Sequence, residues 1–319
     1  MSKTLLVRGT AGLPVFGQPV VATLGSFDGF HQGHIALLEK VNQIKSGWLK
    51  EGLKPTSLVI SFHPHPSLVL KKRTELKLIS SLRQKLQILS QYSVDFLYMV
   101  HFTKEFSLCS AEDFVRDVLV NKLGINTFVI GEDATLGYNR RGNIEVLQKN
   151  LEIYGRKLVA VSKVFGEGER ISSERIREAI KCGDLKAVRA LLGRNYILDS
   201  YVVSGVQVGR RIGFPTANIK QNEQIIPADG VYVTKIFFNG KAYQSITNVG
   251  NCPTFSNRSH SVETHILTDE NLDLYTHRVE VEFLEKIRDE IKFSNIQDLQ
   301  EQIKADIAFT NAYFKQNQI

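Results

Sequence analysis

The stretch Gly25-Ser26-Phe27-Asp28-Gly29-Phe30-His31-Gln32-Gly33-His34 sets two imidazoles three residues apart, among glycines, where an apolar run ends and a helical pattern begins. Imidazole N–H groups donate to phosphate oxygens, and the start of a helix offers unpaired backbone N–H groups to the same anion. Gly29 and Gly33 leave room for a ligand close to the backbone. By itself His-x-Gly-His is a weak motif that reads more readily as a pair of structural histidines. Its position favours chemistry, because open α/β sheets bind ligands at the carboxyl ends of strands that feed helices. A second anion cradle is written in Ile171-Ser172-Ser173-Glu174-Arg175-Ile176-Arg177, where two hydroxyls at a helix start precede Arg177 by one turn. Alone it is an N-cap with a solvated basic face; together the two elements read as a polyphosphate clamp. A third cluster, Gly209-Arg210-Arg211-Ile212-Gly213-Phe214-Pro215-Thr216-Ala217-Asn218-Ile219, is a glycine-bounded basic loop followed by an extended segment. There Thr216 and Asn218 fall on one side and offer two hard oxygen donors to a hydrated Mg2+ bridging phosphates. A β-turn with an ordinary threonine fits the same residues. No Gly-x-x-x-x-Gly-Lys-Ser/Thr loop occurs, so ATP must be cradled in another way. In Phe62-His63-Pro64-His65-Pro66 the interposed proline and the want of a third ligand favour a rigid substrate-lining turn over a metal pair.

These clusters need two kinds of scaffold. From Val20 to about Cys182 apolar runs alternate with helical segments, as in a doubly wound, Rossmann-like parallel sheet. The expected strands are Val20–Leu24, Ser57–Phe62, Phe96–Val100, Thr127–Ile130 and Leu158–Val164, with helices after Gly33, Ser81, Ser110 and Asn143. After Leu192 β-branched and aromatic runs take over, bounded by Gly, Asn and Pro. Asn239-Gly240 between Val231–Phe238 and Lys241–Thr247 predicts a hairpin with a type I′ turn. With further strands at Val262–Leu267 and Arg278–Phe283, this half is expected to be a small antiparallel β-barrel. A last helix from about Asn295 is expected to be capped by Ser294 and Gln297, with Ile296, Leu299, Ile303 and Ile307 on its apolar stripe. The domains are drawn at 1–183 and 184–319.

At 319 residues the length suits two domains, and 43% hydrophobic with 23% charged residues excludes disorder. Forty Lys and Arg against thirty-three Asp and Glu leave a net charge of +7, which favours anionic partners. Cys109, Cys182 and Cys252 form no Cys-x-x-Cys pair, so no zinc ribbon or disulfide framework is encoded and a reducing cytoplasm is expected. Arg8 interrupts the only N-terminal apolar run, so no secretory signal is read, and no stretch nears the length of a membrane span.

The motifs together resemble the prokaryotic bifunctional riboflavin kinase/FAD synthetases. The first half resembles the adenylyltransferase through Gly25 to His34, Phe62 to Pro66, Gly131-Glu132-Asp133 through Gly137, and Ile171 to Arg177. The second half resembles the riboflavin kinase through Gly209 to Ile219, Pro227 to Tyr232, Asn248-Val249-Gly250, Pro253-Thr254-Phe255, Glu263 to Leu267, Leu274-Tyr275 and Arg288 to Phe293. The resemblance implies conversion of riboflavin to FMN and of FMN to FAD, with ATP as co-substrate, Mg2+ as cofactor, and ADP and pyrophosphate released. It implies that His31 and His34 stabilise the transferred phosphate, with Gly25, Phe27, Asp28 and Gly33 around the nucleotide. Ser172, Ser173 and Arg177 would hold the leaving phosphates. Pro64, His65, Asp133 and Thr135 would face the flavin of the adenylylation site, and Arg288 would close a loop over the flavin of the kinase. In the kinase half Gly209, Arg210 and Gly213 would cradle ATP, Thr216 and Asn218 would contact metal and phosphate, and Glu263 would be the general base. Ala134 and Leu136 stand where the family usually has aromatics, Glu174 where it has Thr, Cys252 where it has Arg and Thr276 where it has Gly; both activities are expected to survive, with the adenylyltransferase the more open to weakening.

Two other readings fit the sequence less well. An aminoacyl-tRNA synthetase core would need a Lys-Met-Ser-Lys-Ser-type loop, which is absent, and would leave the β-rich half unexplained. A nucleic-acid-binding barrel would need a basic-aromatic stacking stripe that the strands lack, so neither nucleic acid nor a membrane is expected as a partner.

Overall fold

Apolar runs without polar alternation demand burial on both faces, and in the first part of the chain they build one six-stranded parallel sheet. The computed structural model describes residues 3–9, 16–71, 73–166, 168–205, 208–251, 260–270 and 272–318. The chain divides into two units, Met1–Leu76 with Leu82–Ser172, and Lys77–Ser81 with Ser173–Ile319. In the first unit β1 (Leu5–Arg8), β2 (Val20–Leu24), α1 (Gln32–Lys50), β3 (Thr56–His63), α2 (Pro66–Val69), α3 (Leu82–Gln91) and β4 (Phe96–His101) come first. They are followed by α4 (Ala111–Asp113, continued as a π-helix over Phe114–Lys122), β5 (Ile125–Gly131), α5 (Ile144–Ile153) and β6 (Lys157–Val161). The strand order is β1-β4-β3-β2-β5-β6. The winding reverses between β2 and β5, so the crevice of the fold opens at the carboxyl ends of these two strands. Val20, Ala22, Leu58, Ile60 and Phe128 pack one face against Phe114, Leu119 and Leu147. Val21, Val59, Leu97 and Val129 pack the other against Leu38, Val41 and Leu89.

Two differences from the sequence reading concern the ends of this sheet. Leu5–Arg8, read only as too broken for a signal peptide, is an edge strand paired in parallel with β4, and Arg8 is tolerated there because the edge leaves it exposed. The strand expected to reach Val164 stops at Val161 and is followed by a short hairpin, β7 (Phe165–Gly166) with β8 (Glu169–Arg170).

The second unit begins with α6 (Ser173–Cys182) and α7 (Leu185–Leu192) and continues through β9 (Tyr196–Val203), α8 (Val208–Arg211), β10 (Thr216–Ile219) and β11 (Gly230–Phe238). It ends with β12 (Lys241–Asn251), β13 (His260–Ile266), β14 (Arg278–Arg288) and α9 (Ile296–Asn317). Its strands close an antiparallel barrel in the order β10-β13-β12-β11-β14-β9. Asn239 and Gly240 adopt φ of 49° and 79°, the positive pair that a type I′ turn requires. The cap of α9 is Asn295, whose side chain accepts the Asp298 N–H at 2.8 Å, while Ser294 donates instead to the Asp298 carboxylate. Ile296 is 62% exposed, and the buried positions of α9 are Asp306, Thr310 and Phe314. An ion pair thus takes the place of part of the expected apolar stripe: Asp306 accepts from Arg288 at the end of β14, and Phe314 packs on Val233 and Leu284.

Residues 77–81 are built into this second unit. Leu78 pairs with Gln224 through Leu78 N–H to Glu223 O (2.7 Å) and Ile225 N–H to Leu78 O (2.8 Å). The Gln224 amide donates to Ile79 O and Ile197 O, each at 3.1 Å, and accepts the Asp199 N–H at 2.9 Å. Ser81 donates to the buried Asp199 carboxylate at 2.5 Å, and Arg278 grips the same carboxylate through two nitrogens at 2.5 and 2.6 Å.

The barrel interior holds four wholly buried hydroxyls in one chain of bonds. Ser245 and Thr247 each lie 2.8 Å from Thr234, and Thr247 lies 2.9 Å from Thr264. Thr247→Val keeps the shape but takes a bond from each of two buried hydroxyls, so it should destabilise the protein by about 1–3 kcal/mol in denaturant unfolding. Replacing all four hydroxyl residues by Val or Ala should recover part of that loss. At Thr276 the backbone has φ of 63°, a strained conformation for a β-branched residue. Thr276→Gly should therefore raise stability by about 1 kcal/mol despite the greater freedom of glycine in the unfolded chain.

Candidate active site

The loop after β2 continues the sheet, with Gly25 N–H on Ile60 O at 3.1 Å, and then turns through three left-handed residues: Phe27 (φ 45°), Gly29 (88°) and Phe30 (46°). A phenylalanine in this region costs about 1–3 kcal/mol and persists only where its surroundings over-determine it. Both rings are fully buried, 5.5 Å apart, in the core beneath α1, and Asp28 between them is also buried. The loop delivers His31 to the N-cap of α1, one residue before the helix begins at Gln32 rather than after Gly33. His31 Nδ1 accepts the His34 N–H at 3.3 Å, which assigns its ring proton to Nε2. The two imidazoles stack with centroids 3.7 Å apart, and His34 also lies 4.8 Å from the Phe27 ring. A Cβ at Gly33 would come within 3.1 Å of the His31 ring. The pair therefore stands as one stack at the positive end of a 19-residue helix, a place that favours anions.

One buried charged side chain beside this loop escaped the sequence reading. Lys85 of α3, only 8% exposed, donates to the Ser26 carbonyl at 3.1 Å, and the Ser61 hydroxyl of β3 donates to the same oxygen at 3.1 Å. Its signal was a lysine four residues before Leu89, on the buried face of an amphipathic helix.

The expected flavin-facing residues of this unit lie on two loops. Pro64 follows β3, and His65 caps α2, its Nδ1 3.2 Å from Ser67 N and 2.7 Å from Ser67 Oγ. Asp133 and Thr135 follow β5 at the switch point, where Asp133 pairs with Arg170 at 2.5 Å and Thr135 accepts from Arg140 at 2.9 Å. Ala134 and Leu136, at the positions where the family usually has aromatics, are partly buried and pack against the sheet core. Burial and Asp113 push the Cys109 thiol up, which makes it a poor nucleophile. Ser172 closes the first unit and Ser173 opens α6 in the second. Arg177 is not on a solvated face: it is buried and donates to Lys77 O at 2.9 Å and to Glu174 at 3.3 Å. The Glu174 charge, unexpected beside a phosphate cradle, is thus paired within one turn.

In the second unit strand register gathers the candidate residues. Asn218 on β10 and Asn248 on β12 both stand opposite Glu263 on β13, and Thr216 stands opposite His265. Directly opposed residues share a face, so Asn218, Glu263 and Asn248 form one row. Thr216 donates to the Glu263 carboxylate at 3.3 Å, and His265 Nδ1 lies 2.8 Å from Pro215 O. The Asn218 amide is seated against Gly205, where a Cβ would come within 2.2 Å of it. Gly209 and Arg210 do not lie in an open loop: they belong to the single helical turn of α8, closed by Phe214 N–H to Gly209 O at 2.8 Å, with Gly213 at φ 91°. The Arg210 side chain and the segment from Cys252 through Phe255 lie outside the described residues. Arg288, expected over the flavin, is held by Asp306 through Nε at 3.1 Å and Nη2 at 2.8 Å, with Phe293 5.9 Å from its guanidinium.

The family profile described as FAD synthetase matches residues 15–175, and that described as riboflavin kinase matches residues 192–314. A protein of Buchnera aphidicola named bifunctional riboflavin kinase/FMN adenylyltransferase is 33% identical over 97% of this chain and 98% of its own. One of the same name from Bacillus subtilis is 35% identical over 92% of each chain. A crystal structure from Streptococcus pneumoniae, titled a macrolide-efflux protein, has the same fold at 30% identity with a TM-score of 0.84, covering 97% of this chain and 99% of that one. Among the described residues no helix is long and apolar enough to cross a membrane. With an FAD synthetase region followed by a riboflavin kinase region over nearly its full length, the chain belongs to the bifunctional riboflavin kinase/FMN adenylyltransferase family.

Proposed function

We propose that the second unit phosphorylates riboflavin and that the first adenylylates the resulting FMN, each with ATP. The observation that carries this reading is the row Asn218, Glu263, Asn248, with Thr216 bonded to the carboxylate at its centre. A carboxylate can serve as general base only within hydrogen-bond reach of the hydroxyl it activates, and Thr216 fixes the direction in which this one points. Glu263 takes the proton of the ribityl 5′-hydroxyl as that oxygen bonds to the γ-phosphorus and the bond to ADP breaks. Thr216 and Asn218 fit a hard cation, offering a hydroxyl and an amide oxygen on the face that carries Glu263, with the amide seated against Gly205. Mg2+ bound there would neutralise phosphate charge.

In the first unit an oxygen of the FMN phosphate attacks the α-phosphorus of ATP and pyrophosphate leaves, with no covalent enzyme intermediate. The stacked His31 and His34 at the helix N-terminus align and stabilise the charge on the transferred group. On the family resemblance, Ser172, Ser173 and Arg177 are proposed as ligands of the leaving phosphates. The functional boundary is placed at 183/184, in the turn between α6 and α7. A reducing cytoplasm suits the free thiols of Cys109 and Cys182.

Incubation with riboflavin, ATP and Mg2+, followed by chromatography of the flavins, should show FMN first and FAD second. Glu263→Gln should slow FMN formation by about 100-fold or more and spare FAD formation from supplied FMN. His31→Ala with His34→Ala should do the reverse, and loss of both activities in either variant would overturn the assignment of one reaction to each unit. Gly205→Ala should displace the Asn218 amide and raise the Mg2+ concentration needed for half-maximal phosphorylation by about 10-fold or more, if the lost ligand is worth about as much as one hydrogen bond to a charged group.

A further inference from the structure

A lysine ammonium is costly to bury without a partner, and a lysine on the buried face of a helix needs a reason. Lys85 lies on α3 on the side that carries Leu89, and its Nζ donates to the Ser26 carbonyl at 3.1 Å. The acceptor is the last residue before Phe27, the first left-handed residue of the phosphate loop. The buried Ser61 hydroxyl, from the carboxyl end of β3, reaches the same carbonyl at 3.1 Å. Two donors from two different elements thus clamp one oxygen. That oxygen sits where the chain leaves the regular hydrogen bonding of β2 and begins a course that phenylalanine adopts only under constraint. Five residues later the same loop sets His31 at the N-cap of α1 and, through it, the stack with His34.

We propose that Lys85 is a positioning residue for adenylyl transfer: with Ser61 it fixes the Ser26 carbonyl, and so holds the loop that places the His31–His34 stack. It is not a catalytic residue, because it acts through the loop. This inference rests on the reading of the first unit as the adenylylation site. The choice of lysine fits both demands of the place. An aliphatic stem suits the buried side of a helix, while the ammonium head is a strong donor to a carbonyl that has lost its place in the sheet.

The test uses the full chain and measures the two reactions separately, riboflavin to FMN and supplied FMN to FAD, for wild type, Lys85→Met, Lys85→Arg, Ser61→Ala and the double variant Ser61→Ala/Lys85→Met. Lys85→Met keeps the stem and deletes the donor. It should lower kcat for FAD formation by about 10- to 100-fold, the worth of one hydrogen bond from a charged group, with KM for FMN changed less than about twofold. The rate of riboflavin phosphorylation should stay at the wild-type value. Lys85→Arg should restore part of the loss, and the amides of residues 26–31 should exchange with solvent faster in the methionine variant. Because the two donors share one acceptor, the losses from Ser61→Ala and Lys85→Met should not multiply in the double variant. FAD formation at the wild-type rate in Lys85→Met, losses that multiply fully, or a parallel loss of both activities with stability would each overturn the proposal. A wild-type protein that makes FMN but no FAD would instead overturn the reading of the first unit.

Discussion

The side chains of a strand alternate between its two faces, so Glu263 and Thr264 cannot be placed independently. If Thr264 is inside the barrel, Glu263 is outside it, in the row with Asn218 and Asn248. A slip of one residue in β13 would exchange them, putting a carboxylate into the interior and a threonine into the site. An apolar interior resists such a slip by burial alone. Here the interior adds direction: Thr247 stands opposite Thr264 and bonds to it, Thr234 stands opposite Ser245 and bonds to it, and the Thr234–Thr247 bond ties the two pairs together. Buried hydroxyls satisfied only by one another specify a register more sharply than methyl groups do, because any other register leaves them unpaired. The position of the proposed base is thus set from the opposite face of its own strand.

The first unit places its chemistry by a different constraint. No rung of a sheet holds the stacked histidines; they stand past the end of β2, on a loop with two phenylalanines in left-handed conformations. Burial of those rings and the bonds to Ser26 both hold the loop in place. The site sits at the switch point because parallel strands leave their carboxyl ends open there, and the helix N-terminus that follows supplies the N–H groups an anion needs. One unit therefore carries its proposed reactive groups on strands and the other on a strand-to-helix junction.

Much of this was legible in the sequence, and the reasons differ from element to element. The central strands β2 to β5 announced themselves as apolar runs because both their faces are buried. The Asn239-Gly240 turn did so because few other residue pairs accept positive φ twice. β1 was missed since an edge strand needs less apolar character, and Arg8 there looks like an interruption. On α9 the expected stripe holds at Leu299, Ile303 and Ile307, which are half-buried, but fails at the exposed Ile296, and pattern reading, which counts apolar residues, passes over Asp306, buried as the partner of Arg288 eighteen positions away. Lys85 was missed for the same reason: a charge on a buried face looks like an error of period until its acceptor is known. The motif residues themselves were found, but Gly209 and Arg210 were assigned to a loop because a four-residue helix is too short to show a period.

The segment Lys77–Ser81 shows why the division of activities along the sequence and the division of the fold need not coincide. The FAD synthetase profile runs unbroken through it, yet the segment belongs to the barrel-containing unit. The physical cause is the set of groups waiting there. Gln224 is buried and must satisfy its whole amide, and two of its bonds run to Ile197 O and to the backbone of Asp199 on β9, while a third needs Ile79 O. Asp199 has a fully buried carboxylate, gripped by Arg278 on one side and by Ser81 on the other. A buried carboxylate with one partner is less stable than one with two, so the second unit gains from holding this strand of the first half and would lose by releasing it. The chain consequently passes between the units three times rather than once. A boundary drawn by motif marks where each chemistry is written, and the hydrogen bonds of Gln224 and Asp199 mark where each unit is complete.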